Sequence, residues 1–303
     1  MKEVFHEKVS AIKEWLNNCG KLFLSSIIVT ASLFIIYLIY SFSFGGELKV
    51  IFFDIGQGDS IFIETPSHKQ ILIDGGPNNV VLERLSHVMS FYDRDIDLII
   101  ETHADADHIT GLIPVLEKYN VGNIVASPIK GETNIFNDLD LHLEEEKNNG
   151  ANVYVGKVGD EIDFQDGTII KILYPSKNIS AKTDTNEASV SVLLNYGDKN
   201  FLFTGDLPTK KENYLLSSGL LPNDITVYKA GHHGSKTSSG EQLLSYIKPY
   251  YSVISAGRDN KYGHPNMETI ERLKKYSKVI FSTIDFGSIE FVTDGNEIQV
   301  SSF

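Results

Sequence analysis

The sequence predicts an α/β protein of four layers, in which two β-sheets pack face to face between helices, preceded by one transmembrane helix. Three observations lead to this prediction. An uncharged segment runs from Leu22 to Phe44. Beyond it, short apolar runs bounded by turn residues alternate with helical stretches, and this pattern occurs twice. Histidines and aspartates follow four of the apolar runs, which places polar chemistry at the ends of predicted strands.

The apolar segment at 22–44 is long enough to span a bilayer, which takes about 20 residues. Lysines precede it at four positions: Lys2, Lys8, Lys13 and Lys21. This charge bias predicts a single-pass cell-membrane protein with residues 1–21 in the cytoplasm and a domain at 47–303 outside it. A cleavable signal peptide is the alternative, but the apolar stretch is long and no A-x-A-like site follows it.

Within 47–303, eleven runs have the composition of β-strands: 48–54, 60–64, 70–74, 97–101, 190–195, 201–203, 226–229, 251–255, 278–283, 289–292 and 297–301. A helix is expected after Asn79, which has the side chain of an N-cap. Further helices are expected from about Thr110 and over 132–149, where Gly150 supplies the stop.

The bulk composition limits the classes of function. The net charge is -13, so a broad nucleic-acid-binding face of clustered Lys and Arg is not expected. A phosphodiester in a local pocket remains compatible, because divalent cations would reverse the field there. Cys19 is the one cysteine, so an intramolecular disulfide is impossible and the domain tolerates either redox compartment.

The run 102–108, Thr-His-Ala-Asp-Ala-Asp-His, is the most informative motif. In an extended chain His103 and Asp105 point the same way, and Asp107 and His108 diverge to a neighbouring point once the chain turns. This geometry suits two adjacent cations. Imidazole combined with carboxylate favours zinc, manganese or iron.

The motif is similar to the H-x-[HD]-x-D-H signature of the metallo-β-lactamase superfamily. With Asp in the third position it resembles the branch of the ComEC extracellular hydrolase domains and the teichoic-acid phosphorylcholine esterases. Five further segments match that branch in order: 53–60 (FDIGQGDS), 73–76 (IDGG), 203–206 (FTGD), 231–235 (GHHGS) and 262–265 (YGHP). The resemblance covers residues 48 to 300 and implies the same αββα sandwich.

Together the matched positions imply a site with two divalent cations, Zn²⁺ or alternatively Mn²⁺. One cation would be held by His103, Asp105 and His232. The other would be held by Asp107, His108 and His264. Asp206 would bridge the two cations. Adjacent histidines diverge, so His233 would contact substrate or position a ligand, although the roles of His232 and His233 are interchangeable at this stage.

Other residues are expected around these ligands. Asp74 would orient a metal ligand through a hydrogen bond, or else cap the Gly75-Gly76 turn. The residues Asp54, Gln57 and Asp59 would shape the rim of the site or form a structural turn. Hydroxyls, an amide and cations that suit a phosphate group, or else an ordinary polar loop, lie nearby: Ser235, Lys236, Ser238, Asn260 and Lys261.

The implied reaction is hydrolysis of a phosphodiester, in DNA or in a phosphorylcholine or teichoic-acid polymer. A hydroxide shared by the cations would attack phosphorus, with Asp107, Asp206 and His233 as catalytic groups. Hydrolysis of a lactam, lactone or thioester is the second class, and a metal-stabilised binding or sensor module is the non-catalytic rival. Many superfamily members carry a histidine before the strand pair that leads to the bridging Asp, and this chain does not.

Overall fold

The computed structural model describes residues 2–44, 46–176 and 179–303, which divide into two units after Gly46. The first unit is one helix, α1 (Lys2–Phe44). Within it Lys8–Tyr37 is long and apolar enough to cross a membrane. This supports the predicted membrane anchor.

The second unit contains two β-sheets. The first has eight strands in the order β15-β14-β1-β2-β3-β4-β5-β6, and the second has seven in the order β13-β12-β11-β10-β9-β8-β7. The strands of the first sheet are β1 (Leu48–Phe52), β2 (Ile61–Glu64), β3 (Gln70–Ile73), β4 (Asp95–Ile100), β5 (Asn120–Ala126), β6 (Asn152–Val155), β14 (Ile289–Thr293) and β15 (Ile298–Ser302). Those of the second are β7 (Glu161–Asp163), β8 (Thr168–Tyr174), β9 (Ser191–Tyr196), β10 (Lys199–Phe203), β11 (Val227–Lys229), β12 (Tyr251–Ile254) and β13 (Val279–Ser282).

The two sheets bury a common apolar core. Phe52 of the first sheet lies 6.0 Å from Phe203 of the second between ring centroids, and 5.9 Å from Phe291. Valine, isoleucine and leucine side chains from both sheets complete this layer. Burying each large apolar side chain contributes about 1.5–3 kcal/mol, so this layer holds the sheets together.

Helices cover the outer face of each sheet. On the first sheet they are α2 (Val80–Val88), α3 (Ala106–Ile109), α4 (Leu112–Leu116) and α5 (Asn134–Asn149). On the second they are α6 (Thr209–Ser217), α7 (Glu241–Ile247) and α8 (Met267–Tyr276). A short helix α9 (Thr283–Phe286) follows β13. The predicted four-layer αββα sandwich is confirmed.

Parallel strands carry the polar motifs to one edge of the sandwich. In the first sheet β3, β4 and β5 run parallel. In the second sheet β10, β11 and β12 run parallel. The segments at their carboxyl ends therefore gather at a common edge. These segments contain the 102–108 motif, Asp206, the two adjacent histidines and the loop that leads to His264.

The structure also differs from the sequence expectations. Strands β5 to β7 were not predicted, because β5 carries Gly122 and two asparagines and because β6 and β7 are short and largely exposed. Strand β8 was also missed, although its run TIIKILY has the composition of a strand. The proposed cap at Asn79 is wrong, since its side chain makes no capping hydrogen bond. Asn78 Oδ1 instead accepts from Val80 N at 2.9 Å.

Candidate metal centre

The 102–108 motif leaves β4 and turns into α3, and this turn separates its four ligand-type side chains. His103 and His108 are completely buried, whereas Asp105 and Asp107 are partly exposed. His103 Nε2 lies 3.9 Å from Asp105 Oδ2. The two histidine rings are 4.1 Å apart between centroids.

Asp206 lies at the centre of the site, 2% exposed. Its Oδ2 lies 3.9 Å from His103 Nε2, and its Oδ1 lies 3.4 Å from His108 Nε2. The same Oδ2 lies 3.5 Å from His232 Nε2 and 3.4 Å from His233 Nε2. One carboxylate therefore meets imidazoles from two strand ends.

The adjacent histidines occupy a tight turn, Gly231–Gly234, directly after β11. Both have left-handed backbone conformations, with φ of 49° at His232 and 54° at His233. This region is unfavourable for side chains other than glycine by about 1–3 kcal/mol per residue. The turn buries His233, whose Nε2 lies 3.3 Å from Asp107 Oδ2, and leaves His232 27% exposed.

His264 lies beside this pair, with its ring centroid 5.4 Å from that of His232 and 6.4 Å from that of His233. Asn260 supports the loop, because its amide accepts from His264 N and donates to the carbonyl oxygens of His264 and Gly257. Tyr262 stacks on the outer side of the His264 ring. The loop therefore presents one imidazole to the open side of the site.

Close backbone contacts explain two of the glycines. A Cβ on Gly58 would lie 2.0 Å from the carbonyl oxygen of Asp107, and a Cβ on Gly75 would lie 2.4 Å from Leu112 N. The backbone of Gly75 also donates to His108 O at 2.7 Å. Through these contacts the loops after β1 and β3 pack closely against the 102–108 motif and the residues that follow it.

Two buried carboxylates orient the buried histidines from outside the cluster. Asp74 accepts from Thr102 N at 2.8 Å and Thr102 Oγ1 at 2.7 Å, and lies 2.7 Å from His108 Nδ1. Asp59 Oδ1 lies 3.3 Å from His233 Nδ1. In both pairs the contact is on the Nδ1 side, so each Nε2 points toward Asp206.

Mutual charges shift the pKa values in the cluster. Burial alone would raise the pKa of Asp206, but His233 and His108 hold it well below its usual range. Burial opposes the protonation of His108 and His233, yet the surrounding carboxylates raise the pKa of both well above the ordinary value. Burial lowers the pKa of His103 to about 3, so this imidazole is neutral and its Nε2 lone pair is free.

A divalent cation fits this arrangement. Ring nitrogens of His108 and His233 and an oxygen of Asp206 lie within 4.8 Å of one another, and an oxygen of Asp59 lies within the same distance of them. Among the described residues, the buried atoms His103 Nε2, Asp206 Oδ1 and His264 Nδ1 make no hydrogen bond. Buried polar atoms are nearly always satisfied, so several unpaired atoms among these neighbouring side chains indicate a ligand. Imidazole and carboxylate donors suit zinc and its neighbours in the first transition row.

The predicted substrate-binding residues lie in two loops next to the cluster. Lys236 and Lys261 are exposed, and Ser235 and Ser238 are buried. Ser235 Oγ pairs with Thr237 Oγ1 at 2.9 Å. Asn260 uses both ends of its amide on its own loop.

The residues expected at the rim take different positions. Asp54 Oδ1 accepts from Gly56 N at 3.3 Å and stabilises a turn, whereas Gln57 Oε1 accepts from Gly257 N at 3.2 Å and joins two loops. Asp59 is buried against the cluster.

Two residues that contact carboxylates of the site were not predicted from the sequence. Thr185 Oγ1 donates to Asp105 Oδ1 at 2.6 Å, and Lys229 pairs with Asp59. The signal for Lys229 was a lone charge that ends an apolar strand.

Comparisons with known proteins found a matching family model and related proteins. The profile of the metallo-β-lactamase superfamily matches residues 53–258. ComE operon protein 3 of Bacillus subtilis is 29% identical over 88% of this chain and 36% of its own length. Recombination protein 2 of Haemophilus influenzae is 28% identical over 81% and 29%. Competence protein ComA of Neisseria gonorrhoeae is 30% identical over 81% and 32%. The chain thus spans about a third of these relatives.

The fold is also similar to that of a solved structure, CmlA from Streptomyces venezuelae, described as a diiron β-hydroxylase. The TM-score is 0.51 at 12% identity, over 78% of this chain and 53% of CmlA. At this level of identity the likeness concerns the fold alone.

Proposed function

The chain belongs to the metallo-β-lactamase superfamily, and we propose that it is a membrane-anchored hydrolase that uses two divalent cations to cleave phosphodiesters. The family and the buried donor cluster together support a metal-dependent hydrolase. The observation that carries the proposal is the position of Asp206, 3.4–3.9 Å from four imidazole nitrogens. A carboxylate with two oxygens in that position suits a bridge between cations.

The distances support a division of the ligands into two groups. Asp107, His108 and His233 would hold one cation, because His233 Nε2 lies 3.3 Å from both Asp107 Oδ2 and His108 Nε2. His103 and Asp105 would hold the other. Asp206 would be shared.

The division places the two adjacent histidines differently from the arrangement that the motifs implied. The buried His233 becomes a ligand of the cation next to His108. His232 and His264 stand on the open side, where they complete the second site or contact the substrate.

Two such cations, when bound, polarise the phosphoryl oxygen and activate water at neutral pH. The chain's own residues supply the arrangement. Asp206 fixes the spacing of the two ligand groups. Asp107 stays ionised, since its contacts with His233 and His108 outweigh burial and hold its pKa at about 2. Burial lowers the pKa of His264, so a neutral imidazole faces the entering substrate.

DNA is the substrate that two of the relatives favour, since their names refer to recombination and competence. A cell-envelope phosphodiester has the same reacting group and is the other candidate. Lys236 and Lys261, both exposed beside the cluster, provide local positive charge in a chain whose net charge is -13. Such local charge suits the approach of a phosphodiester backbone.

The test uses the full chain in detergent, with metal analysis and hydrolysis of bis(p-nitrophenyl) phosphate measured on the same sample. His103→Ala removes a buried ligand, and His68→Ala is the matched control because His68 is exposed in the β2–β3 turn. We expect about two metals per chain, and turnover that is lost in His103→Ala and kept in His68→Ala. Two metals with turnover of only a lactam, lactone or thioester would overturn the phosphodiester class. A folded chain without metal would favour a binding module.

The orientation of the domain is a separate part of the proposal. The lysines before the apolar segment favour a cytoplasmic N-terminus and an extracytoplasmic 47–303 domain at the cell membrane. Protease added to intact cells, after removal of the cell wall, should digest the domain. Protection of the domain until the membrane is opened would reverse the proposed topology.

A further inference from the structure

A lysine is buried beneath the histidine cluster. Lys229, the last residue of β11, is 1% exposed, and it is the one lysine of the described residues that is fully buried. Its ammonium group contacts Asp59 Oδ2. Removing a charge from water costs several kcal/mol, and breaking a buried pair leaves the partner uncompensated. A buried ion pair with this free-energy cost suggests a functional role.

Asp59 faces the cluster from the side opposite Asp206. Its Oδ1 lies 3.3 Å from His233 Nδ1 and its Oδ2 lies 3.9 Å from His108 Nδ1. The Nε2 atoms of both rings point away from it, 3.3 Å from each other and 3.4 Å from Asp206. A cation held by Nε2 of these rings is therefore on the far side of the imidazoles from Asp59.

We infer that Asp59 and Lys229 form a buried charge pair that positions His233 for metal binding. The Nδ1 of His233 donates to the Ser255 carbonyl at 3.1 Å, and Asp59 Oδ1 lies 3.3 Å from the same nitrogen, where its charge favours a proton on Nδ1. The lone pair of Nε2 then points toward Asp107 and Asp206. The inference rests on the proposed metal site, and it is independent of the phosphodiester substrate.

The comparison with Asp74 shows what Lys229 adds. Asp74 hydrogen-bonds the Nδ1 of His108 at 2.7 Å, and two hydrogen bonds from Thr102 stabilise its charge. The N–H of Asp59 donates to Asp107 O at 3.3 Å, which leaves its side chain unaffected, and the carboxylate depends on the ammonium of Lys229. Partners of this kind fix the ring orientation of metal-bound histidines.

The charge balance points the same way. Five carboxylates surround the site: Asp59, Asp74, Asp105, Asp107 and Asp206. Two divalent cations neutralise four of these negative charges, and the Lys229 ammonium neutralises the fifth. With both cations bound, the pair therefore lets Asp59 remain ionised without leaving a buried net charge.

A double-mutant cycle in the full chain tests the inference, with zinc affinity measured by competition against a chromophoric chelator. We expect Asp59→Asn to weaken one of the two zinc sites by about 10–100-fold, the usual cost of losing such a partner. Lys229→Met and Asp59→Asn should each lower the thermal stability of the zinc-free chain. The double variant should recover that stability, because no charge is left unpaired, and keep the weakened zinc site.

The double variant is decisive, since it is the one expected to fold well. If it binds zinc as tightly as the wild type, the pair only fills the core and the inference is overturned. If the wild type itself binds no zinc, the proposed function fails first. Lys69→Met with Asp97→Asn removes another lysine–aspartate pair, 2.8 Å apart and partly exposed, and is the matched control. It should leave zinc affinity unchanged.

Discussion

Two sets of polar side chains lie at the same edge of the sandwich, and they differ in how their hydrogen bonds are satisfied. Beneath the 235–240 loop, Glu212 accepts from Ser239 N and Gly240 N at 2.6 and 2.8 Å. Arg272 donates to the carbonyl oxygens of Ser238 and Ser239. We call Glu212 and Arg272 the loop brace. Both side chains therefore make their hydrogen bonds within the fold.

The histidine cluster is built in the opposite way. Its members converge on Asp206, and His103 Nε2 and Asp206 Oδ1 make no hydrogen bond within the described residues. Two consecutive residues there also hold left-handed backbone conformations. Buried acceptors without hydrogen bonds and local backbone strain are destabilising, and they persist where a ligand is to be bound. The difference separates a site that serves stability from one that serves binding.

The largest expected effect tests that contrast directly. Asp206→Ala should abolish turnover and remove both cations, because this carboxylate meets both proposed ligand groups. We expect a loss of zinc affinity and of activity beyond the 100-fold upper range for residues that act through a ligand. Metal analysis and hydrolysis rates measure it. Asp138→Ala, an exposed aspartate on α5, is the control. Full metal content in Asp206→Ala would contradict the two-cation site.

Removing the metal should affect the cluster and spare the brace. Binding to the folded state alone stabilises a protein by about 4 kcal/mol when the free ligand is 1,000 times its Kd. We expect a clear rise in Tm when zinc is added to chelator-treated full chain, measured by differential scanning fluorimetry. The same addition should leave Asp206→Ala unchanged. If zinc leaves the Tm of the wild type unchanged, the unsatisfied atoms do not bind zinc.

The stability contributed by the loop brace should depend on pH and not on metal. Burial raises the pKa of Glu212 to about 7, above the ordinary carboxyl value of 4.5. The folded state therefore keeps a proton that the unfolded chain releases, so stability falls as pH rises from about 5 to about 7. The contribution is at most about 3 kcal/mol. Glu212→Gln should flatten this decline.

Urea unfolding at pH 5 and pH 8 measures the effect of Glu212→Gln. The comparison of wild type and variant isolates Glu212, since all other titrating groups are common to both. An equal decline in the two proteins would mean that the brace holds an ionised carboxylate at both pH values.

The sequence predicted which strand ends carry the polar motifs, but it did not predict which of His232 and His233 is buried. Motif spacing after apolar runs placed His103, Asp107, Asp206 and His264 at the carboxyl ends of strands, and parallel pairing brings those ends together. The difference between His232 and His233 depends on two left-handed residues in succession. No local sequence pattern distinguishes which of two adjacent rings such a turn buries.

The same limit applies to parts of the fold. Strand β5 contains Gly122 and Asn123, and the exposed β6 lacks the alternation that identifies a strand. Lys229 occupies a strand whose three residues are all buried. A lysine is expected at such a position only when another part of the fold supplies a carboxylate to pair with it. That partner, Asp59, lies far away in sequence, so only tertiary structure pairs them.

The smallest expected effect concerns a neutral contact at the edge of the cluster. Thr185 Oγ1 donates to Asp105 Oδ1 at 2.6 Å, and this bond opposes the rise in the pKa of Asp105 that burial causes. Thr185→Val keeps the shape and removes the donor, so we expect about tenfold weaker zinc binding at the site that includes His103. Thr185→Ser keeps the hydroxyl and should bind zinc nearly as the wild type does. Competition titration measures both, and equal losses in the two variants would assign Thr185 to packing, as a part of the satisfied fold instead of the binding site.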